Sequence, residues 1–117
     1  MVKTGIGYDV HPLAEGVTLI IGGVKIDSPR GSVGHSDGDV LFHAVVDALL
    51  GAANLGDIGQ HFPSSDERWQ GKESIDELAE AIRKAVKPVQ NTWYAPSYRR
   101  KMVKVLTRRA CAGLLKD

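Results

Sequence analysis

The chain has 117 residues, 43% of them hydrophobic and 25% charged, with a formal net charge of +1. That length suits one domain burying roughly two-thirds of its unfolded surface and excludes a multidomain machine. The composition excludes a disordered chain, which needs lower hydrophobicity and a large net charge.

The near-neutral total hides an asymmetry. Residues 1–75 hold five Lys/Arg against ten Asp/Glu, and residues 76–117 hold ten against four. No apolar run approaches the ~20 residues that span a bilayer, and the opening MVKTGIGYD is no signal peptide. The single cysteine, Cys111, has no partner for an internal disulfide, which points to a reducing compartment. Cytoplasmic residence without a membrane partner is the expectation, the alternative being a plastid protein whose transit peptide has been removed.

In chain order, residues 4–10 (TGIGYDV) read as a strand. Residues 17–26 (VTLIIGGVKI) read as a hairpin about Gly22-Gly23, because glycine tolerates the positive φ of tight primed turns. Residues 28–37 read as a loop. From Asp39 to about Ala53 the apolar spacing turns helical, with Asp37 as N-cap and Asp39 in the first turn. The helix is apolar on more than one face and is expected to be buried. Residues 54–73, with three Gly and one Pro, read as a loop.

Ser74-Ile75-Asp76-Glu77 fits a capping box, opening a helix over 74–87 whose stripe is Leu78, Ile82 and Val86. Residues 88–98 read as irregular. Residues 99–115 read as a basic helix with Met102, Leu106, Ala110 and Leu114 on one face, weakened near its end by Gly113.

Asp9 and His11 are two apart on the first predicted strand, so their side chains share a face. His43 lies in the first turns of the buried helix. Two imidazoles and a carboxylate are a common set for a catalytic divalent metal, usually zinc. Asp47, one turn after His43, is positioned by its spacing to orient that imidazole. The plainer alternative makes His11 a surface residue and His43 a satisfied core histidine. His35 and Ser36 precede the helix, whose N-terminal amides can bind phosphate, with simple capping as the alternative. Gly56-Asp57-Ile58-Gly59 can offer backbone amides to a ligand, or form an ordinary turn. His61 and Asp66 read as solvated loop residues.

The blocks GIGYDVH, LIIGGVKI and GHSDGDVLFHAVVDALLGAANLGDIGQHFPSSDERWQGKES, over about residues 4–75, resemble the 2-C-methyl-D-erythritol 2,4-cyclodiphosphate synthase family. The resemblance implies a metal-dependent phosphorus–oxygen lyase of non-mevalonate isoprenoid biosynthesis. Its substrate is 4-CDP-2-C-methyl-D-erythritol 2-phosphate, converted to the cyclic diphosphate and CMP. It implies zinc on Asp9, His11 and His43, and Mg²⁺ or Mn²⁺ with the substrate diphosphate. It assigns phosphate contact to His35 and Ser36, with His35 also the catalytic stabiliser of the transition state. Substrate contact falls to Asp9, Val10 and His11, to Asp57, Ile58 and Gly59, and to Phe62, Pro63, Ser64, Ser65 and Asp66. The implied fold is α/β, a sheet with packed helices, assembled as a homotrimer with sites between subunits.

The pattern departs beyond about Ile75. The expected organisation is a single domain over 1–117, with a synthase-like part over 1–87 and a basic, non-matching tail over 88–117. The family's C-terminal strands, Pro-Lys segment and Thr-Thr-Glu segment have no match there, and Thr92 and Thr107 occur singly. Loss of those strands is expected to expose a hydrophobic sheet edge and face. One alternative is therefore a truncated or frame-shifted, catalytically dead metal-binding homologue. Another is nucleic-acid binding through Arg99, Arg100, Lys101, Lys104, Arg108 and Arg109, near Trp93, Tyr94 and Tyr98. No nucleic-acid motif accompanies those residues, and a solvated basic helix is the plainer reading.

Overall fold

Gly22 and Gly23 take φ of +61° and +78°, the paired positive values that a two-residue primed turn requires. They close an antiparallel hairpin of β2 (Leu19–Ile21) and β3 (Val24–Ile26), in the register Leu19–Ile26, Ile20–Lys25 and Ile21–Val24. A second antiparallel pair joins β1 (Leu13–Glu15) to β4 (Arg30–Ser32). The computed structural model describes residues 2–87 and 94–114. Its helices are α1 (Val40–Ala52), α2 (Ile58–His61), α3 (Ser74–Ala85) and α4 (Pro96–Leu114). The class is α/β, with small antiparallel sheets and packed helices. No helix among the described residues is long and apolar enough to cross a membrane.

Several expectations need correction. Residues 4–10 form no strand, since a ladder needs a partner and none of the described strands pairs with them. The segment lies instead against α1, where a Cβ on Gly7 would come 1.7 Å from the Ala44 carbonyl oxygen. Ile6, Tyr8 and Val10 are exposed, so an apolar row of this segment faces outward. Within 28–37, β4 replaces part of the expected loop, and within 54–73 a short α2 forms behind Asp57, whose carboxylate accepts from the Gln60 amide at 3.0 Å.

Helix α1 is capped by Asp39, not Asp37. Its buried face is His43, Val46 and Leu50, whereas Leu41 and Val45 stay exposed. Val46 and Leu50 join Phe62, Leu78 and Ala81 in the core, against which Trp69, Ile82 and Cys111 pack. Phe62 meets Trp69 edge-on at 4.7 Å between centroids, a favoured aromatic geometry. Each large aliphatic side chain buried there contributes roughly 1.5–3 kcal/mol.

Helix α4 begins at Pro96, so its first three residues fall in the stretch read as irregular; residues 88–93 lie outside the described part. The face it turns to α3 is not the expected stripe, because Leu106 and Ala110 are exposed while Val103, Thr107 and Cys111 are partly buried. The Leu114 side chain lies outside the described residues. Charge selects the face: Lys104 Nζ lies 2.7 Å from Glu80, and Arg108 reaches Asp76 at 2.6 Å and Glu73 at 3.6 Å. Two of the tail's cations are thereby engaged within the chain.

Burial alone would raise the Glu80 carboxyl, but hydrogen bonds and charge from Arg83 and Lys104 pull it down to about 2. A depressed folded-state pKa contributes stability above the unfolded value, and that contribution is lost as pH falls through the folded value. The window here runs from pH 4.5 down to about 2. Lys104→Ala is expected to cost about 1 kcal/mol at pH 6, with the gap to the parent closing towards pH 2. Urea unfolding midpoints for both chains across that range check the sign; a gap independent of pH would contradict it.

Candidate metal centre

The loop before β1 and the first turns of α1 bring Asp9, His11 and His43 together. Their ligand-capable atoms all lie within 4.8 Å of one another. His11 Nε2 is 2.7 Å from Asp9 Oδ2 and 3.1 Å from His43 Nδ1, and His43 Nδ1 is 3.4 Å from Asp9 Oδ2. Ligand atoms about 2.0–2.1 Å from a tetrahedral zinc stand about 3.3 Å apart along the tetrahedron's edges. The triangle is thus close to the size that zinc requires.

The hydrogen bonds behind the triangle agree. His11 Nδ1 lies 3.1 Å from the Val33 carbonyl, an acceptor, so in the neutral ring Nδ1 carries the proton and Nε2 a lone pair. His43 Nε2 lies 3.1 Å from Glu77 Oε2 and 2.9 Å from Ser74 Oγ. Ser74 Oγ in turn donates to Asp37. With acceptors behind Nε2, the proton sits there and Nδ1 keeps its lone pair. Asp9 Oδ2 is buried and accepts no hydrogen bond. Three lone-pair-bearing atoms therefore converge with no proton between them, an arrangement that calls for a cation. The chemistry of the residues fits a divalent metal.

Electrostatics favour positive charge at the same point. Burial works against protonation of His43, but the hydrogen bond and charge of Glu77, with Asp9 and Asp37, raise its pKa above the ordinary value. Glu77 is 1% exposed and His43 4%.

Glu77, Ser74 and Asp37 form a network that local sequence reasoning assigned elsewhere. Ser74 is the first residue of α3, not its cap, and Glu73 in the cap position makes no side-chain capping bond. The Ser74 amide donates to Asp37 Oδ2 at 3.2 Å, tying the start of α3 to the loop before α1. Ser36, at φ +59°, holds a left-handed conformation costing on the order of 1 kcal/mol for a non-glycine residue. Its Oγ thereby reaches Ser74 Oγ at 3.0 Å and His43 Nε2 at 3.3 Å.

Asp47 does not orient His43. Its Oδ1 accepts from the Ile58 amide at 2.7 Å, pinning the segment after Asp57 to α1 and occupying one amide that the sequence offered to a ligand. His35 sits beside the centre, with Nδ1 3.6 Å from Glu77 Oε1 and Nε2 buried without a hydrogen-bond partner among the described residues. Val10 is exposed, Phe62 is a core side chain, and Ser64 and Ser65 are exposed while Pro63 is partly buried. Asp66 is engaged by Arg68 at 2.7 Å, which lowers its pKa through hydrogen bonds and charge. His61 is partly buried rather than solvated, between the Leu55 carbonyl at 2.6 Å and Lys84 Nζ at 2.9 Å.

Comparison with known proteins places the chain in a family. The YgbB family model matches residues 2–94, further than the sequence blocks reach. A 2-C-methyl-D-erythritol 2,4-cyclodiphosphate synthase from Salinibacter ruber is 53% identical over 94 residues, covering 80% of this chain and 57% of the relative. Another, from Alkaliphilus metalliredigens, is 58% identical over 81 residues, covering 69% of this chain and 51% of the relative. The chain thus spans about half the length of the curated relatives it matches. A solved synthase in its CDP-bound form is 38% identical with a TM-score of 0.67, covering 93% of this chain and 79% of that one.

Proposed function

The chain belongs to the YgbB family, and from that premise we propose that it acts as a 2-C-methyl-D-erythritol 2,4-cyclodiphosphate synthase. The observation that carries the proposal is the convergence of lone pairs from Asp9, His11 and His43. Those three residues would hold zinc. When bound, zinc supplies Lewis-acid neutralisation of phosphate charge, complemented by Mg²⁺ or Mn²⁺ brought with the substrate diphosphate.

In the proposed reaction an oxygen of the 2-phosphate attacks the β-phosphorus of the cytidine diphosphate ester. A new P–O–P bond closes the ring, the bond to the bridging oxygen breaks, and CMP leaves with its electron pair. An anion attacking an anion is slow unless charge is offset and the groups are held in line. His35 offers Nε2, which has no hydrogen-bond partner among the described residues, to a phosphate oxygen, and Ser36 belongs to the same phosphate-side loop. Asp9, Val10 and His11 border the substrate, with Asp57, Ile58 and Gly59 and the Phe62-Pro63-Ser64-Ser65-Asp66 stretch on the methylerythritol side. The CDP-bound relative supports a cytidine diphosphate substrate. The proposed assembly is a homotrimer in the cytoplasm.

The test is CMP release from the cytidine diphosphate substrate by purified chain with zinc and Mg²⁺. Activity above a metal-free control is expected. His35→Ala should lower kcat by about a hundredfold, the typical cost of one lost oxyanion donor, with zinc content unchanged. Zinc at one per chain with no CMP released would favour the alternative, a catalytically dead metal-binding homologue.

A further inference from the structure

Glu77 is nearly inaccessible, at 1% exposure, and its ion-pair partners on the described residues are two histidines. Oε2 lies 3.1 Å from His43 Nε2 and Oε1 3.6 Å from His35 Nδ1. Oε1 has no hydrogen-bond partner among the described residues. An apolar side chain of similar volume would fill this place without the cost of desolvating a carboxylate. Packing therefore gives no reason for an acid here, whereas the imidazole it touches does.

Groups around His43 Nε2 act as acceptors. Glu77 is a carboxylate, and Ser74 Oγ gives its own proton to Asp37. Ser36 Oγ is more distant, at 3.3 Å. Ligating histidines commonly donate their second ring N–H to a carboxylate, which fixes both tautomer and ring orientation. Spacing along α1 gives that task to Asp47, but Asp47 is committed to the Ile58 amide.

We infer that Glu77 is the positioning residue of the metal centre: from α3 it holds His43 as the Nε2–H tautomer and aims Nδ1 at the cation shared with Asp9 and His11. The inference rests on the metal reading given under Proposed function. It assigns to the first turn of α3 a part in metal affinity that its capping-box sequence does not suggest.

The test compares the full chain with Glu77→Leu, Glu77→Gln and Glu77→Asp. Zinc affinity is read by competition with a chelator, and the tautomer of His43 in the metal-free protein by long-range ¹H–¹⁵N NMR. Glu77→Leu is expected to weaken zinc by about tenfold to a hundredfold and to weaken the Nε2–H preference, with Ser74 Oγ left as an acceptor at 2.9 Å. Glu77→Gln keeps an oxygen acceptor and should recover most of both. A purely structural role would move stability without moving the tautomer. Parent-like affinity with Nε2–H still pinned in Glu77→Leu would overturn the inference while leaving the metal centre intact. Should Glu77→Leu not fold, Glu77→Asp withdraws the acceptor by one methylene, and unchanged affinity and tautomer there overturn it equally. A parent chain that takes up no zinc overturns it together with the metal reading.

Discussion

Replacing His11 with alanine is expected to abolish stoichiometric zinc binding and leave the fold nearly intact. The His11 ring is only partly buried, and among the described residues its hydrogen bond outside the cluster is to the Val33 carbonyl. Little packing is lost with it. A ligand-forming residue should matter more than the outer-shell partners whose loss costs about tenfold to a hundredfold in affinity. His43→Ala removes a ligand too, but strands the buried Glu77 carboxylate without the imidazole 3.1 Å away. Breaking a buried charge pair from one side costs about 3–5 kcal/mol, so His43→Ala is expected to lose both metal and much of its stability. Elemental analysis after gel filtration, with urea unfolding of each variant, separates the two effects. One zinc per chain retained at parent affinity in His11→Ala would sink the three-residue site.

Legibility in the sequence followed the range of the interaction. The Gly22-Gly23 turn, the helical spacing after Asp39 and the basic helix are local, and short windows contain what decides them. The candidate triad was visible in part, since Asp9 and His11 are near neighbours and His43 adds an imidazole in the first turns of the helix, and the family blocks strengthened the grouping. Glu77 was not visible. Ser-x-x-Glu ahead of an apolar stripe is a capping box in any isolated helix, and only the docking of α3 against α1 turns Glu77 towards His43. Asp47 failed for the complementary reason: spacing placed it correctly relative to His43, but the Ile58 amide approaches from the start of α2, eleven residues on. In α4, apolar spacing proposed one face, and the acids Glu80, Asp76 and Glu73 on α3 selected another. The strand expected over 4–10 needed a partner strand, and hydrophobic pattern carries no information about whether one is supplied.

Asp39→Ala is expected to be among the most destabilising single changes in the chain, because one carboxylate serves two elements at once. Asp39 is fully buried. Oδ1 accepts from the Leu41 and Phe42 amides at 3.1 Å each, capping α1, and from the Gly22 amide at 2.9 Å. Oδ2 accepts from the Gly23 amide at 2.6 Å. The turn that closes β2–β3 is thus fastened to the start of α1 through a single side chain. Losing a helix cap costs about 1 kcal/mol, and each buried donor left unsatisfied adds about 1–3 kcal/mol where water cannot reach it. A combined loss of about 3 kcal/mol or more is a large fraction of the roughly 5–15 kcal/mol that holds a domain folded. Asp39→Asn should fall between, since one amide oxygen can serve Oδ1's partners while its NH₂ group faces the Gly23 N–H. The consequence reaches the metal centre, because the His43 amide bonds the Asp39 carbonyl at 3.1 Å in the first turn of the helix. A frayed first turn would displace the imidazole from Asp9 and His11, so zinc affinity should fall along with the urea midpoint. Added zinc should in turn recover part of the lost stability, since a ligand that binds only the folded state shifts the equilibrium towards it. Parent-like unfolding in Asp39→Ala would mean that the hairpin and α1 are held together by something other than this carboxylate, and that His43 owes its position to α3 alone.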